Sequence, residues 1–373
     1  MLGLANTVSS SSTLDSLYSI TLDGTDDYID LGNVLNLGQG DFTISMWVYV
    51  TEAASNIFLS KYQDANNYWA FKTQGDGQVQ FEAKIGGSTI CDQISDADGT
   101  LSENQWVHIA HTNDRSETDG EKIYINGTLS RLGGQGNTDD IDNTGSLYIG
   151  RVANQYAESG TKIDEVSIWT GINNNAALDG ETIAAIYTKG GQHDLAAGRT
   201  IGTTPLAAYY RMGNGKFDDK KNGAIHDQNI NSSYAGFGSE LVTSWTNTDF
   251  DEFTSSGSNI TEMVSGASTD NCYASAATTS GKTYKLQFVC SQNITAQVRI
   301  SSSVDLTNGE VVLSNPTSGL NTAYFRADAN YTKIGFFANA GFTDTQISDF
   351  TFKELNGLPG LTSGGPTFTS DVP

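Results

Sequence analysis

Hydrophobic and polar residues alternate with a period of two along most of this chain. They do so in short runs broken by Gly, Asn and Asp. Examples are Tyr18–Leu22, Phe42–Val50 (FTISMWVYV), Tyr68–Thr73, Gln78–Ile85, Trp106–Thr112, Lys122–Gly127, Leu147–Arg151 and Lys162–Trp169. Successive side chains of a strand point to opposite faces, so such runs predict half-buried strands. Many short strands with turn chemistry between them predict a β-sandwich. One segment breaks the pattern. Leu178–Lys189 (LDGETIAAIYTK) carries Leu178, Ile183, Ile186 and Tyr187 at helical spacing, and Gly190-Gly191 follows as a stop. A second series of strands runs from Glu240–Trp245 through Thr283–Cys290 and Lys333–Ala338 to Ile347–Leu355.

The pattern divides the chain into an arm at 1–17, a sandwich at 18–191, a connecting segment at 192–237, a second sandwich at 238–355 and a tail at 356–373. The connecting segment is rich in Gly, Asn and Asp but contains LAAYYRM (Leu206–Met212), whose apolar residues need a sandwich to pack on. The Gly/Ser/Thr/Pro tail reads as disordered or as an extended arm docking on a neighbouring subunit. The fold class expected is all-β, two antiparallel sandwiches with one short helix after the first.

Charge narrows the functional classes. The 373 residues hold 43 acidic and 20 basic side chains, a net charge of −23. Affinity for a phosphate backbone comes from basic side chains, so no nucleic-acid partner is expected. No apolar run is long enough to span a bilayer, so no membrane insertion is expected either. The three cysteines, Cys91, Cys272 and Cys290, are too few for a disulfide scaffold. Cys272 and Cys290 could pair within the second sandwich or stay as buried thiols. The start, MLGLANTVSSSSTLDSLYS, lacks the basic and apolar regions of a signal peptide. An extracellular-type chain without an export signal fits synthesis in a host cytoplasm and assembly into a particle released by lysis. In the arm, Leu2, Leu4, Val8, Leu14 and Leu17 are the candidates for burial against a partner.

The order LDGTDDYIDLG (Leu22–Gly32), DFTISMWVYV, QWVHIAHTND, KIYINGTL, LYIGR and KIDEVSIWTG, closed by a short helix, resembles the concanavalin A-like, laminin-G-type lectin/glucanase domain over Tyr18–Gly191. The resemblance implies a jelly roll. Trp47, Trp106 and Trp169 are then expected between its sheets. Tyr62, Tyr68, Trp69 and Tyr156, nearer the loops, are the candidates for stacking on a glycan, with Asp64, Asn66 and Asn67 in the same candidate glycan site. Such domains often hold a structural calcium, which wants six to eight oxygen ligands. Asp23 with Gly24 and Asp164 are candidate ligands. KYQDANNYW (Lys61–Trp69) is similar to the pentraxin calcium loop, with Asp64 and Asn66 or Asn67 as the acid–amide pair. The companion segment, GRVANQYAESG, has Arg151 and Asn154 where carboxylates would be wanted, which speaks against the pentraxin double site. The other interpretation of Asp23, Asp26 and Asp27 is a solvated turn.

GSELVTSWTNTDFDEF, TSGKTYKLQFVC and ISDFTFKEL resemble the galactose-binding-like jelly roll of carbohydrate-binding modules over Gly238–Leu355. There the resemblance places calcium ligands at Glu240 and Asp349. No catalytic residues are expected. Glycosidases need two carboxylates flanking the scissile bond. The nearest string, ETDGE (Glu117–Glu121), lies between strands, where its side chains should splay into water. His108 and His111 are three apart and so face opposite sides of a strand, and no nucleophile elbow occurs. The architecture, the MLGLANTV start and the GSELVTSW string resemble virion proteins of tailed, especially marine, bacteriophages. That resemblance implies a non-enzymatic structural protein on the particle surface (fibre, tail or capsid appendage). Host-glycan adhesion, other virion proteins as partners and a homo-oligomer are expected with it. The alternatives are a cellular carbohydrate-binding or adhesion protein and, last, a glycoside hydrolase.

Overall fold

The computed structural model describes residues 17–134, 139–171, 176–190, 206–213, 218, 224–225 and 236–373. Among these the chain is nearly all antiparallel β-structure, with the single α-helix Gly180–Lys189.

Strand Asp41–Tyr49 shows how the first sandwich is built. Its even positions, Phe42, Ile44, Met46 and Val48, are fully buried in the main core. Its sheet runs Thr128–Gly133, Glu121–Ile125, Trp106–Asn113, Asp41–Tyr49, Lys162–Gly171, Ser19–Thr21, Thr367–Thr369. Leu206–Tyr210 also pairs with Lys162–Gly171. The facing sheet runs Ala224–Ile225, Gly360–Ser363, Tyr28–Gly32, Ser146–Ile149, Ile57–Asp64, Asn67–Thr73, Val79–Ile85, Ser88–Ile94. From it Leu59, Trp69, Phe71 and Phe81 fill the space between the sheets.

The odd positions of Asp41–Tyr49 point the other way, and this corrects the expectation for the tryptophans. Trp47 stacks on Tyr187 of the helix at 5.6 Å, and Trp169 lies in a separate cluster with Tyr124, Ile183, Ile186 and Tyr209. Trp106 packs edge-on against Tyr49. None of the three lies in the main core: the helix gives the first sheet a second apolar cover over Trp47 and Trp169, and Trp106 donates to Asp371 of the tail. That helix starts where Asp179 accepts a hydrogen bond from the Thr182 N–H, an N-cap, and ends at Gly190 with φ 59°.

The segment Leu206–Met212 is tied to the first sandwich by more than its ladder. Arg211 and Glu165, both nearly fully buried, approach at 3.3 Å, and the Tyr209 hydroxyl donates to the same carboxylate. The tail also belongs to this sandwich. Tyr28, Ile29 and Asp30 pair with Ser363, Thr362 and Leu361, and Ser19, Ile20 and Thr21 pair with Thr369, Phe368 and Thr367. Leu358 and Phe368 pack on the main core, and Asp371 accepts from the Trp106 indole N–H and pairs with Lys162. The expectation of a disordered tail, or of one docked on a neighbour, is replaced by an arm that completes both sheets of its own chain.

The second sandwich stacks a sheet ordered Glu252–Ser256, Asn259–Ser265, Phe342–Asn356, Thr283–Cys290, Gly319–Arg326 on one ordered Thr246–Asn247, Asn271–Ser275, Lys333–Ala338, Ala296–Ser301, Glu310–Ser314. Gly236–Phe237 adds to Phe342–Asn356. Trp245, Phe288, Phe336 and Phe350 form the aromatic centre of its core. Cys272 and Cys290 are buried free thiols. Arg326 crosses to the first sandwich, where it meets the Asp30 carboxylate at 2.8 Å and the Asp30 and Pro359 carbonyls.

Candidate functional site

The outer face of the sheet that carries Tyr28–Gly32 and Ile57–Asp64 collects half-buried tyrosines. Tyr62 and Tyr68 are direct cross-strand partners with ring centres 6.0 Å apart. Beside them Lys72 and Lys84 flank Glu82, at 2.7 and 3.0 Å. Burial raises the Tyr68 hydroxyl above its ordinary range, and the neighbouring Glu82 charge adds to this, so it stays a neutral hydrogen-bond donor. Glu82 is lowered despite its burial, because Lys72 and Lys84 donate to it. Further along the face, the Arg151 guanidinium sits 4.5, 5.1 and 5.7 Å from the ring centres of Tyr28, Tyr148 and Tyr156. Tyr156 is therefore engaged by an arginine, while Tyr62 and Tyr68 pack over Ile57, Ala70 and Val152, with the Lys84 ammonium 5.6 Å from the Tyr68 ring centre.

The hairpin tip beside this pair is held by its own polar groups. Asp64 accepts from the Asn66 N–H and the Asn67 carboxamide at 2.8 and 2.9 Å, and Asn67 accepts from the Gly86 N–H. Asn66 is exposed at the tip. Asp64 and Asn67 shape the loop, and Asn66 is the amide presented outward.

Trp69 corrects the sequence-based expectation. It neighbours Tyr68 but points inward, is fully buried, and stacks on Phe81 at 5.9 Å. A strand puts adjacent residues on opposite faces, so Tyr68 and Trp69 cannot serve one surface. Tyr28, Tyr148, Lys72, Glu82 and Lys84 were missed. Their signal was in the sequence as polar or tyrosine side chains at alternate positions opposite buried ones.

Asp23 and Asp164 are not brought together. Asp164 is fully buried, and its carboxylate accepts from the Glu165 N–H. Its neighbour Ile163 pairs with Ile20, three residues before Asp23, which separates the two carboxylates by roughly 10 Å or more along the strand. Asp23 instead meets Asp26 and Asp27, with carboxylate oxygens within 4.8 Å of one another. There Asp23 accepts from the Thr25 N–H, Asp27 accepts from the Asp23 N–H, and Gly24 takes φ 83° against Ser159. In the second sandwich Glu240 Oε1 accepts from the backbone N–H groups of Leu241, Val242 and Phe352, so it ties the entering chain to the last strand. Asp349 is exposed at φ 51°. Glu240 thus has a structural role of its own.

In the ETDGE string Glu117 and Asp119 are exposed in a turn, but Glu121 is buried beside Cys91 and Arg115, and burial raises its carboxyl. The expectation that all three splay into water fails at Glu121, and they do not share a face. Leu2, Leu4, Val8 and Leu14 lie outside the described residues; Leu17 is exposed.

Residues 23–184 match the laminin-G family described as the concanavalin A-like lectin/glucanases superfamily. No curated protein matches the sequence. Among solved structures, a heptameric SAP-like pentraxin from Limulus polyphemus is similar at 14% identity and TM-score 0.36, over 46% of this chain and 82% of that one. The CBM40 of the Ruminococcus gnavus IT-sialidase, bound to α2,3-sialyllactose, is similar at 19% identity and TM-score 0.36, over 45% and 95%. The binding domain of botulinum neurotoxin serotype D is similar at 13% identity and TM-score 0.36, over 86% and 83%. Among the described residues no helix is long and apolar enough to cross a membrane.

Proposed function

We propose that the chain is a non-enzymatic adhesion protein that takes up saccharide on the Tyr62–Tyr68 face of its first sandwich. The observation that carries this is the pairing of two half-buried tyrosines with the Lys72–Glu82–Lys84 cluster on one rigid sheet. A sugar ring has an apolar C–H face and a polar edge. Tyrosine supplies a flat apolar body with a polar tip, and the charged cluster supplies hydrogen bonds at the edge. Burying ~50 Å² of ring face at ~25 cal/mol per Å² is worth about tenfold in affinity. Tyr62→Ala and Tyr68→Ala, measured on a glycan array and then by calorimetry at a temperature where the variants are folded, should each weaken the best ligand about tenfold, with some fall in melting temperature from the packing lost on Ile57, Ala70 and Val152. Undiminished binding by the double variant would remove this face from the proposal.

Single sites of this strength are weak, so adhesion needs many copies. The chain is accordingly proposed as a homo-oligomeric surface protein of a bacteriophage particle, anchored through the segment ending at Leu17. Mass spectrometry of purified particles tests this, and finding the chain only in cellular fractions would favour a cellular adhesion protein. We propose that any structural calcium would be held at Asp23, Asp26 and Asp27, whose carboxylates lie close together. Chelation should then lower the melting temperature of the first sandwich, and an unchanged value would take the ion out of the proposal.

A further inference from the structure

The outer face of the second sandwich holds a cleft of about 150 Å³ lined by Phe237, Lys285, Gln287, Thr351 and Lys353. A cavity of about this size accepts a single six-membered ring. Its two cations are unusual for the chain. Lys285 and Lys353 are direct cross-strand partners, an arrangement of like charges that weakens a sheet. Acidic residues outnumber basic ones 43 to 20, yet neither lysine has a carboxylate partner among the described residues. Lys285 is held between two rings instead, its ammonium 5.2 Å from the Phe237 centre and 5.5 Å from that of Tyr324. Cation–π contacts position an ammonium without neutralising it. The floor is polar and ordered: Gln287 pairs with Thr351 across one strand boundary and donates to the Thr322 hydroxyl across the other.

We propose that this cleft binds one acidic sugar residue, its carboxylate or sulfate on Lys285 and Lys353 and its ring edge toward Gln287 and Thr351, with Phe237 as the apolar wall. The site is in a different sandwich from the Tyr62–Tyr68 face and does not depend on it.

The test is calorimetry on the full chain with four probes: an oligogalacturonate, a sulfated oligogalactan, a neutral oligogalactan and sodium sulfate. Binding of either acidic oligosaccharide, about tenfold or more above the neutral one, is expected, since charge-assisted hydrogen bonds to two lysines are lost with the anion. The sulfated and carboxylated arms distinguish the two anionic groups. Lys353→Ala and Lys285→Met should each weaken binding about tenfold, whereas Tyr62→Ala/Tyr68→Ala should leave it unchanged. Phe237→Ala, which removes no charge, should weaken the oligosaccharide but not sulfate. Equal affinity for neutral and acidic oligosaccharides, sulfate binding as tightly as the sugars, or binding that survives loss of both lysines with the fold intact would each overturn the proposal.

Discussion

Removing Gly357–Pro373 should lower the melting temperature of the first sandwich by about 10 °C and leave that of the second sandwich in place. The arm contributes strands to both sheets of the first sandwich, the apolar contacts of Leu358 and Phe368, and the Asp371 contacts to Trp106 and Lys162. A net loss of about 3 kcal/mol corresponds to a shift of roughly 10 °C in a domain of this size. Deletion also uncovers the edges of Ser19–Thr21 and Tyr28–Gly32, which should promote aggregation. Calorimetry of the truncated chain measures this. A melting temperature within a degree of the full chain would mean that the arm adds nothing to the sandwich. If the arm exchanges between copies in solution, the melting temperature should instead rise with protein concentration.

His108 and His111 should also make the first sandwich lose stability between about pH 6.5 and 5, offset in part by Glu121, Asp27, Asp41 and Asp142, whose carboxyls burial raises. His108 and His111 are fully buried, and burial pushes both imidazoles down to about 3. His108 shares a hydrogen bond with the Ser45 hydroxyl, and His111 stacks face to face on Phe81 at 4.3 Å. The folded values lie below the ordinary 6.5, so above that pH the two states bind the same number of protons and nothing is lost. Below it the unfolded chain takes up protons that the folded one refuses until about 3. At pH 5 that amounts to about 2 kcal/mol for each histidine. His111→Leu should therefore remove about half of the acid sensitivity while keeping an apolar side chain beside Phe81. The second sandwich, residues 238–355, has no histidine. Its own titrating group has the opposite sign. Glu310 is pushed up to about 7, first by burial and then by the charge of Asp328, so its contribution is full below the ordinary 4.5 and is lost as pH rises through 7. Opposite pH trends of the two transitions are the expected result, and parallel trends would contradict it.

Local alternation was enough to read the strands, because each face of a strand meets one environment. It did not show which face was which where both were apolar. In FTISMWVYV the even residues and Trp47 look equally fit for a core, and only the helix packed on the outer face decides between them. For the same reason Trp69 was exchanged with Trp47, Trp106 and Trp169: the expected platform is core, and the expected core is outer packing. The tail was illegible for another reason. GLTS and TFT carry little apolar content of their own, and their partners lie more than 300 residues earlier in the chain. No local signal reports such a pairing. Of the site, the Tyr62–Tyr68 hairpin was legible from residue type and turn chemistry. The lysine-lined cleft was not, because it needs Phe237, Lys285 and Lys353 brought together from three strands.

The most direct measurement is calorimetric titration of the glycan selected on an array into the wild-type chain and into Tyr62→Ala/Tyr68→Ala, with the products inspected by chromatography afterwards. Saturable binding by the wild type, a loss of about tenfold or more in the double variant and recovery of the glycan intact are expected. Shortened glycan in the product, or equal affinity of the two proteins, would show that these stacked sheets act by other chemistry or at another place.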